Sequence, residues 1–221
     1  MRLVFSLPVL IGLMVLSGCQ SPKEASKENF TKVLNDYHQR NCVMLSSYDF
    51  QDFPITIKLL PVQNRWANKQ NPERTVQYDV LVDAGLLQVK DGETQDYENA
   101  FSRTKITVPT KTYQLSEAGS KAFAQQTGKG VLSSEGKRGF CAGYYHVTEI
   151  SNFSEPAASM GYTISNVNYR TDLEKVQPWA RNARLLEAYP HFAKALQSPQ
   201  SQFSTLVLMN DGWVHEREMR P

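Results

Sequence analysis

Met1 and Arg2 open onto an almost uninterrupted apolar run from Leu3 to Leu16, and this run decides how much of the 221-residue chain has to fold in water. A membrane-spanning helix needs about 20 consecutive apolar residues, and the run is shorter than that. A positive start before a short apolar stretch is the layout of a secretory signal, which the mature protein loses. Residues 1–18 are therefore expected to lie outside the fold, and the remainder to fold in an oxidising compartment. With 24 Lys plus Arg against 22 Asp plus Glu and 41% apolar content, that remainder fits one or two small globular domains. A formal charge of +2 sets up no strong field, so composition offers no argument for nucleic acid or a polyacidic substrate as partner.

The run closes in Leu16-Ser17-Gly18-Cys19, which resembles the bacterial lipobox. The resemblance implies cleavage before Cys19 and acylation of that residue, so that the membrane is a partner through an N-terminal lipid. Each buried CH₂ contributes about 0.8 kcal/mol, and several chains together make a durable anchor. Gln20 follows the cysteine where the enteric-type sorting pattern has an aspartate for retention at the inner membrane, and resemblance to that pattern implies an outer-membrane lipoprotein facing the periplasm.

With Cys19 assigned to lipid, Cys42 and Cys141 remain, and an even pair in an oxidising compartment is most simply a disulfide. Two buried free thiols are the alternative. A metal site is not expected, since neither cysteine has a second Cys or a His at ligand spacing, and no Cys-x-x-Cys marks redox catalysis. No cofactor is expected either.

Residues 19–28 read as a polar, lipid-anchored tether holding the body away from the bilayer. Phe30, Val33, Leu34 and Tyr37 recur at helical spacing and predict a helix over Lys27 to Arg40, with Lys32, Asn35, Asp36 and Gln39 on its solvated face. Residues 29–126 form an expected N-terminal unit, 127–139 a Gly/Ser/Lys-rich connector, and 140–221 a C-terminal unit. In that second unit, strands over Phe140–Ile150 and Met160–Tyr169 precede a helical stretch broken at Pro190. A hairpin follows, turning at Asn210-Asp211-Gly212. The fold class is α+β: an N-terminal helical unit followed by an antiparallel sheet covered on one face by helix.

Leu81-Val82-Asp83-Ala84-Gly85-Leu86-Leu87, followed by Tyr113-Gln114-Leu115-Ser116-Glu117-Ala118-Gly119, resembles the helix, strand, wing and closing helix of winged-helix domains, over residues 72–126. Within that unit a charged turn is expected at Lys90–Glu93, and Ser116 is expected to cap the closing helix. A DNA-binding role would need basic side chains for phosphates. Residues 73–126 hold six basic and eight acidic groups instead, so no nucleic-acid partner is expected.

Motifs that carry chemistry are sparse. None of His38, His146, His191 and His215 belongs to a compact metal motif. Strand alternation would put His146 and Glu149 on opposite faces, and His191 and His215 read as surface or capping residues. Ser134-Glu135-Gly136-Lys137 matches Ser-x-x-Lys but lies among glycines and lacks the partner triplets of that chemistry. Asp49, Asp52, Asp79, Asp83, Glu216 and Glu218 read as turn or solvated-face acids. Aromatic residues gather in the second half, and alternation places Tyr144 and Tyr145 on opposite faces, leaving one of them available to a partner. Three functions stay open. The first is a non-enzymatic envelope lipoprotein that binds or assembles with another envelope protein. The second is an immunity or inhibitor lipoprotein acting on a toxin or lytic enzyme. The third is an envelope hydrolase with a dispersed site, for which His146 or His191 would serve.

Overall fold

The computed structural model describes residues 21–47, 50, 52–60, 65–98, 103–126 and 137–219. In chain order the elements are α1 (Lys27–Arg40), β1 (Val43–Ser46), β2 (Ile55–Lys58), α2 (Arg65–Asp83), β3 (Leu87–Glu98), β4 (Lys105–Leu115), α3 (Glu117–Ala122), β5 (Phe123–Gln126), β6 (Lys137–Phe153), β7 (Ala157–Ser159), β8 (Tyr162–Glu174), α4 (Ala183–Ala188), α5 (Pro190–Ala195), β9 (Gln200–Met209) and β10 (Gly212–His215). The α+β class stands, with antiparallel sheets, the larger of which curls into a half-barrel.

The larger sheet runs β1-β6-β8-β9-β10, with β5 on β6 and β7 on β8. Strand β6 is its beam. Residues 139–143 pair with β1, residues 137–140 with β5, and residues 144–153 with β8. Helix α1 lies across β6 and β10 because Phe30, Leu34 and His38, spaced four apart, form one buried stripe. Phe30 meets Phe153 and Trp213 edge to face, with ring centroids 4.9 and 5.1 Å apart. A hydroxyl cap starts the helix, Ser26 Oγ accepting from the Asn29 amide. Thus α1 and β1, grouped by sequence with 29–126, pack on and pair with strands that follow residue 137. The expected connector 127–139 ends inside β6, and its first ten residues lie outside the described chain.

The tether reading also changes. From Ser21 onward the chain is seated on the body: the Trp213 indole donates to the Lys23 carbonyl at 3.1 Å, and Pro22 covers Gly212 so closely that a Cβ there would come within 2.9 Å of the Pro22 carbonyl. Polarity alone read as solvation, whereas backbone carbonyls of polar residues are as good hydrogen-bond acceptors as any.

A second core gathers Leu45, Phe50, Tyr78, Leu81, Leu86, Tyr113, Phe140 and Leu185. It lies where α2 and the three-stranded sheet β2-β4-β3 meet the first half of β6. Here the expected turn at Lys90–Glu93 is strand instead. Beta3 runs through it with a bulge between Asp91 and Glu93, at Gly92 (φ +90°), because a glycine at positive φ admits an extra residue without ending the ladder. Outward from there, β3 and β4 form a two-stranded arm, with residues 90–96 and 103–107 exposed throughout. Ser116 caps α3 as expected, its Oγ 2.8 Å from the Gly119 amide.

Candidate functional site

Where the C-terminal end of α1 meets β8, β9 and β10, four buried polar side chains form one chain of hydrogen bonds. The Tyr169 hydroxyl stands 3.2 Å from His38 Nε2 and 3.0 Å from Ser204 Oγ, and Ser204 Oγ stands 3.0 Å from His215 Nε2. Sheet register brings the strand residues together: residues 204 and 206 on β9, like 213 and 215 on β10, point the same way by alternation. The Tyr37 ring stacks on His215 with centroids 3.7 Å apart. Arg40 closes the rim with a paired hydrogen bond to the Glu218 carboxylate, at 2.9 and 2.7 Å.

The direction of this chain is fixed at one end. His215 Nδ1 accepts from the Arg217 amide at 3.1 Å, so in the neutral ring the proton sits on Nε2 and is donated to Ser204 Oγ. The Ser204–Tyr169 bond can run in either direction, and the Tyr169 hydroxyl is within hydrogen-bond reach of His38 Nε2 at the far end. The polarity at His215 is the reverse of a nucleophile and base, in which Nδ1 donates to an acceptor and Nε2 is left bare to take the serine proton. His215 here holds Ser204 as an acceptor and does not activate it. Burial lowers the pKa of both histidines to about 4, helped for His215 by the nearby Arg217 and His38. Burial likewise pushes the Tyr169 hydroxyl up.

A cleft of about 230 Å³ opens on this network beside Tyr145, Gln202 and Phe203. A second groove, of about 350 Å³, lies next to it, between Asn35 and Gln39 of α1 and Tyr144, His146 and Glu174 of the sheet. Both mouths are polar. They suit small polar contacts or water better than a large apolar ligand.

Of the residues singled out from sequence, Cys42 and Cys141 come together at disulfide distance, their Cα atoms 5.8 Å apart. Cys19 and residues 134–136 lie outside the described residues, and Lys137 is the first residue of β6. Tyr144 and Tyr145 are both half-buried. Tyr145 donates to the Ala195 carbonyl at 2.5 Å and lines both the cleft and the groove, and Tyr144 lines the groove. His146 and Glu149 are exposed on the same side of β6, contrary to simple alternation, because a bulge between Val147 and Glu149 inserts one residue and resets the pleat. His191 is exposed on α5. His215 does cap, but is buried rather than on the surface.

Asn35, expected on a solvated face, accepts from the Val147 amide at 2.8 Å beside that bulge. Asp79 is not simply solvated either: it accepts from the Tyr113 hydroxyl at 2.7 Å and pairs with Lys111. Asp52, Asp83 and Glu218 pair with Arg138, Arg184 and Arg40. Among the described residues no group of three or more His, Cys, Asp or Glu could hold a metal ion, and no helix is long and apolar enough to cross a membrane.

Sequence reasoning missed the His38-Tyr169-Ser204-His215 network. The signal for His38 was present: it continues the spacing of Phe30 and Leu34 into the next turn of α1. Compared with known proteins, the chain matches no family model, no curated protein and no solved structure.

Proposed function

We propose that the protein is a non-enzymatic module of the bacterial envelope, held at a membrane by lipid on Cys19, that binds a second envelope protein through the β3–β4 arm. The observation that carries this reading is the arm itself. Residues 90–96 and 105–107 are ordered as strands yet bury almost nothing against their own chain. Ordering a residue costs about 1–2 kcal/mol, and an exposed edge strand is a standing invitation to pairing. A surface that carries both costs has its natural counterpart in a partner.

Beta3, an edge of its sheet, bears Asp91, Glu93 and Asp96 against Lys90, while its fourth acid, Glu98, is paired with Arg103 and Lys105 of the same arm. This is the wrong sign for phosphate and the right one for a basic protein surface. The order α2, β3, β4, α3, with β2 completing the sheet, supports a winged-helix reading of this unit, in which the arm stands where the wing would. The acidic edge also supports a second reading, an inhibitor or immunity lipoprotein whose target is a basic toxin or lytic enzyme.

The test is in-cell photocrosslinking of the full lipidated chain, with the crosslinker at Gln95 on the arm or at Asn168 on the outer face of the larger sheet. One dominant protein adduct from Gln95, retained in Cys19→Ser, is the expected result. Its identity separates a resident envelope partner from an incoming toxin. Adducts from Asn168 alone, or none from either position, would overturn the assignment to the arm.

A further inference from the structure

We infer that one end of the larger sheet rests on the bilayer, with Met160 in the headgroup region and Tyr162 beside it. The inference depends on the lipid at Cys19 and adds an orientation to it. Its first support is the shortness of the link. Only Gln20 separates Cys19 from Ser21, and one residue spans at most about 3.6 Å, which puts a lipidated Cys19 within roughly 7 Å of Ser21. Ser21 is fixed to the body: its carbonyl accepts from the Asn29 side chain at 2.8 Å and from the Glu24 amide at 3.0 Å. Pro22 and Lys23 continue onto Gly212 and Trp213. The lipid therefore emerges at the β9–β10 turn, with no slack for the body to stand off.

The second support is what else lies at that end. Thr163 pairs with Leu208, and Met209 with Gly212, so the β7–β8 turn at Met160-Gly161 and the β9–β10 turn at Asn210-Asp211 project from the same edge. Beta8 and β10 are two strand spacings apart, about 10 Å. Met160 is 97% exposed and Tyr162 43%. Met160 also has φ +48° ahead of Gly161 at +83°, in a two-residue hairpin loop whose first position ordinarily takes Asn, Asp or Gly. A large apolar side chain placed in solvent and in the left-handed region is unfavourable on both counts in water. Against lipid the first of these becomes a gain. Lys23 and Lys27 at this end are offset by Glu24, Glu28 and Asp211, so the contact is apolar in character and needs no anionic lipid.

The experiment uses the full lipidated protein in vesicles of phosphatidylethanolamine and phosphatidylglycerol carrying doxyl-labelled phosphatidylcholine. An environment-sensitive fluorophore is attached at Met160→Cys or at Ser201→Cys, the latter an exposed position about 30 Å away along β9. Quenching about two-fold or more stronger at 160 than at 201 is the expected result. Equal, weak quenching at both positions, with the protein still floating with vesicles, would overturn the orientation alone. Failure of the wild-type chain to float, or flotation of Cys19→Ser equal to it, would overturn the lipid reading beneath it.

Discussion

His38 and His215 illustrate what a buried imidazole does to stability. Each is neutral in the folded state with a pKa of about 4, against 6.5 in the unfolded chain. Between those values the unfolded state binds more protons, so stability falls as pH drops from 6.5 toward 4. The groups facing them do not reverse the sign: Tyr37, Tyr145 and Tyr169 surround His38, while Arg217 opposes the charging of His215 more than Glu218 favours it. At pH 5 the loss is on the order of 2 kcal/mol per histidine. Urea denaturation should show a clear drop in midpoint between pH 7 and pH 5, and coincident curves would contradict the buried neutral network. Met160 makes the opposite case, a residue unfavourable to its own fold. Met160→Asn, giving the Asn-Gly pair that a turn with two positive φ values prefers, should raise stability by about 1 kcal/mol in thermal denaturation.

At the scale of elements, α1 was legible to the residue, Lys27–Arg40, because Phe30, Val33, Leu34 and Tyr37 keep helical spacing over its length. Its register on the sheet was not, since which strands cover it depends on pairings more than 100 residues away. Phe30→Ala removes a fully buried ring held by Phe153 and Trp213 and should cost about 3–5 kcal/mol, read from chemical denaturation. A cost under 1 kcal/mol would mean that the helix is not seated as described. The β3–β4 hairpin shows the other limit. Lys90-Asp91-Gly92-Glu93 carries every local sign of a turn, yet its ladder continues past the bulge for five more residues, Thr94 to Glu98. Local chemistry fixes what a glycine permits, and pairing across the sheet decides which option is taken. The same lesson explains His146 and Glu149: alternation is a rule of unbroken strands, and composition does not announce a bulge.

For the whole molecule, Cys42 and Cys141 are 99 residues apart in sequence. Closing a loop of that size restricts the unfolded chain by about 5 kcal/mol in the entropy model. Cys42→Ser with Cys141→Ser should therefore lower the urea midpoint markedly while leaving the far-ultraviolet spectrum native. Alkylation of both thiols in freshly isolated, unreduced protein would refute the bridge. The proximity of these cysteines was legible because they are the two of three that lie in the part of the chain expected to fold. The buried polar network was not, because its four members come from three separated stretches of chain and carry no common motif.

Helix α1 is made first and covered last. Its Phe30 and Leu34 stripe rests on Val147, Ile150, Leu206 and Trp213, all supplied by the second half of the chain. A ribosome working from the N-terminus thus presents this apolar stripe more than 170 residues before Trp213 exists to cover it. Until Trp213 is made the stripe cannot be fully covered in its native place, so the incomplete chain has to keep those side chains from other partners.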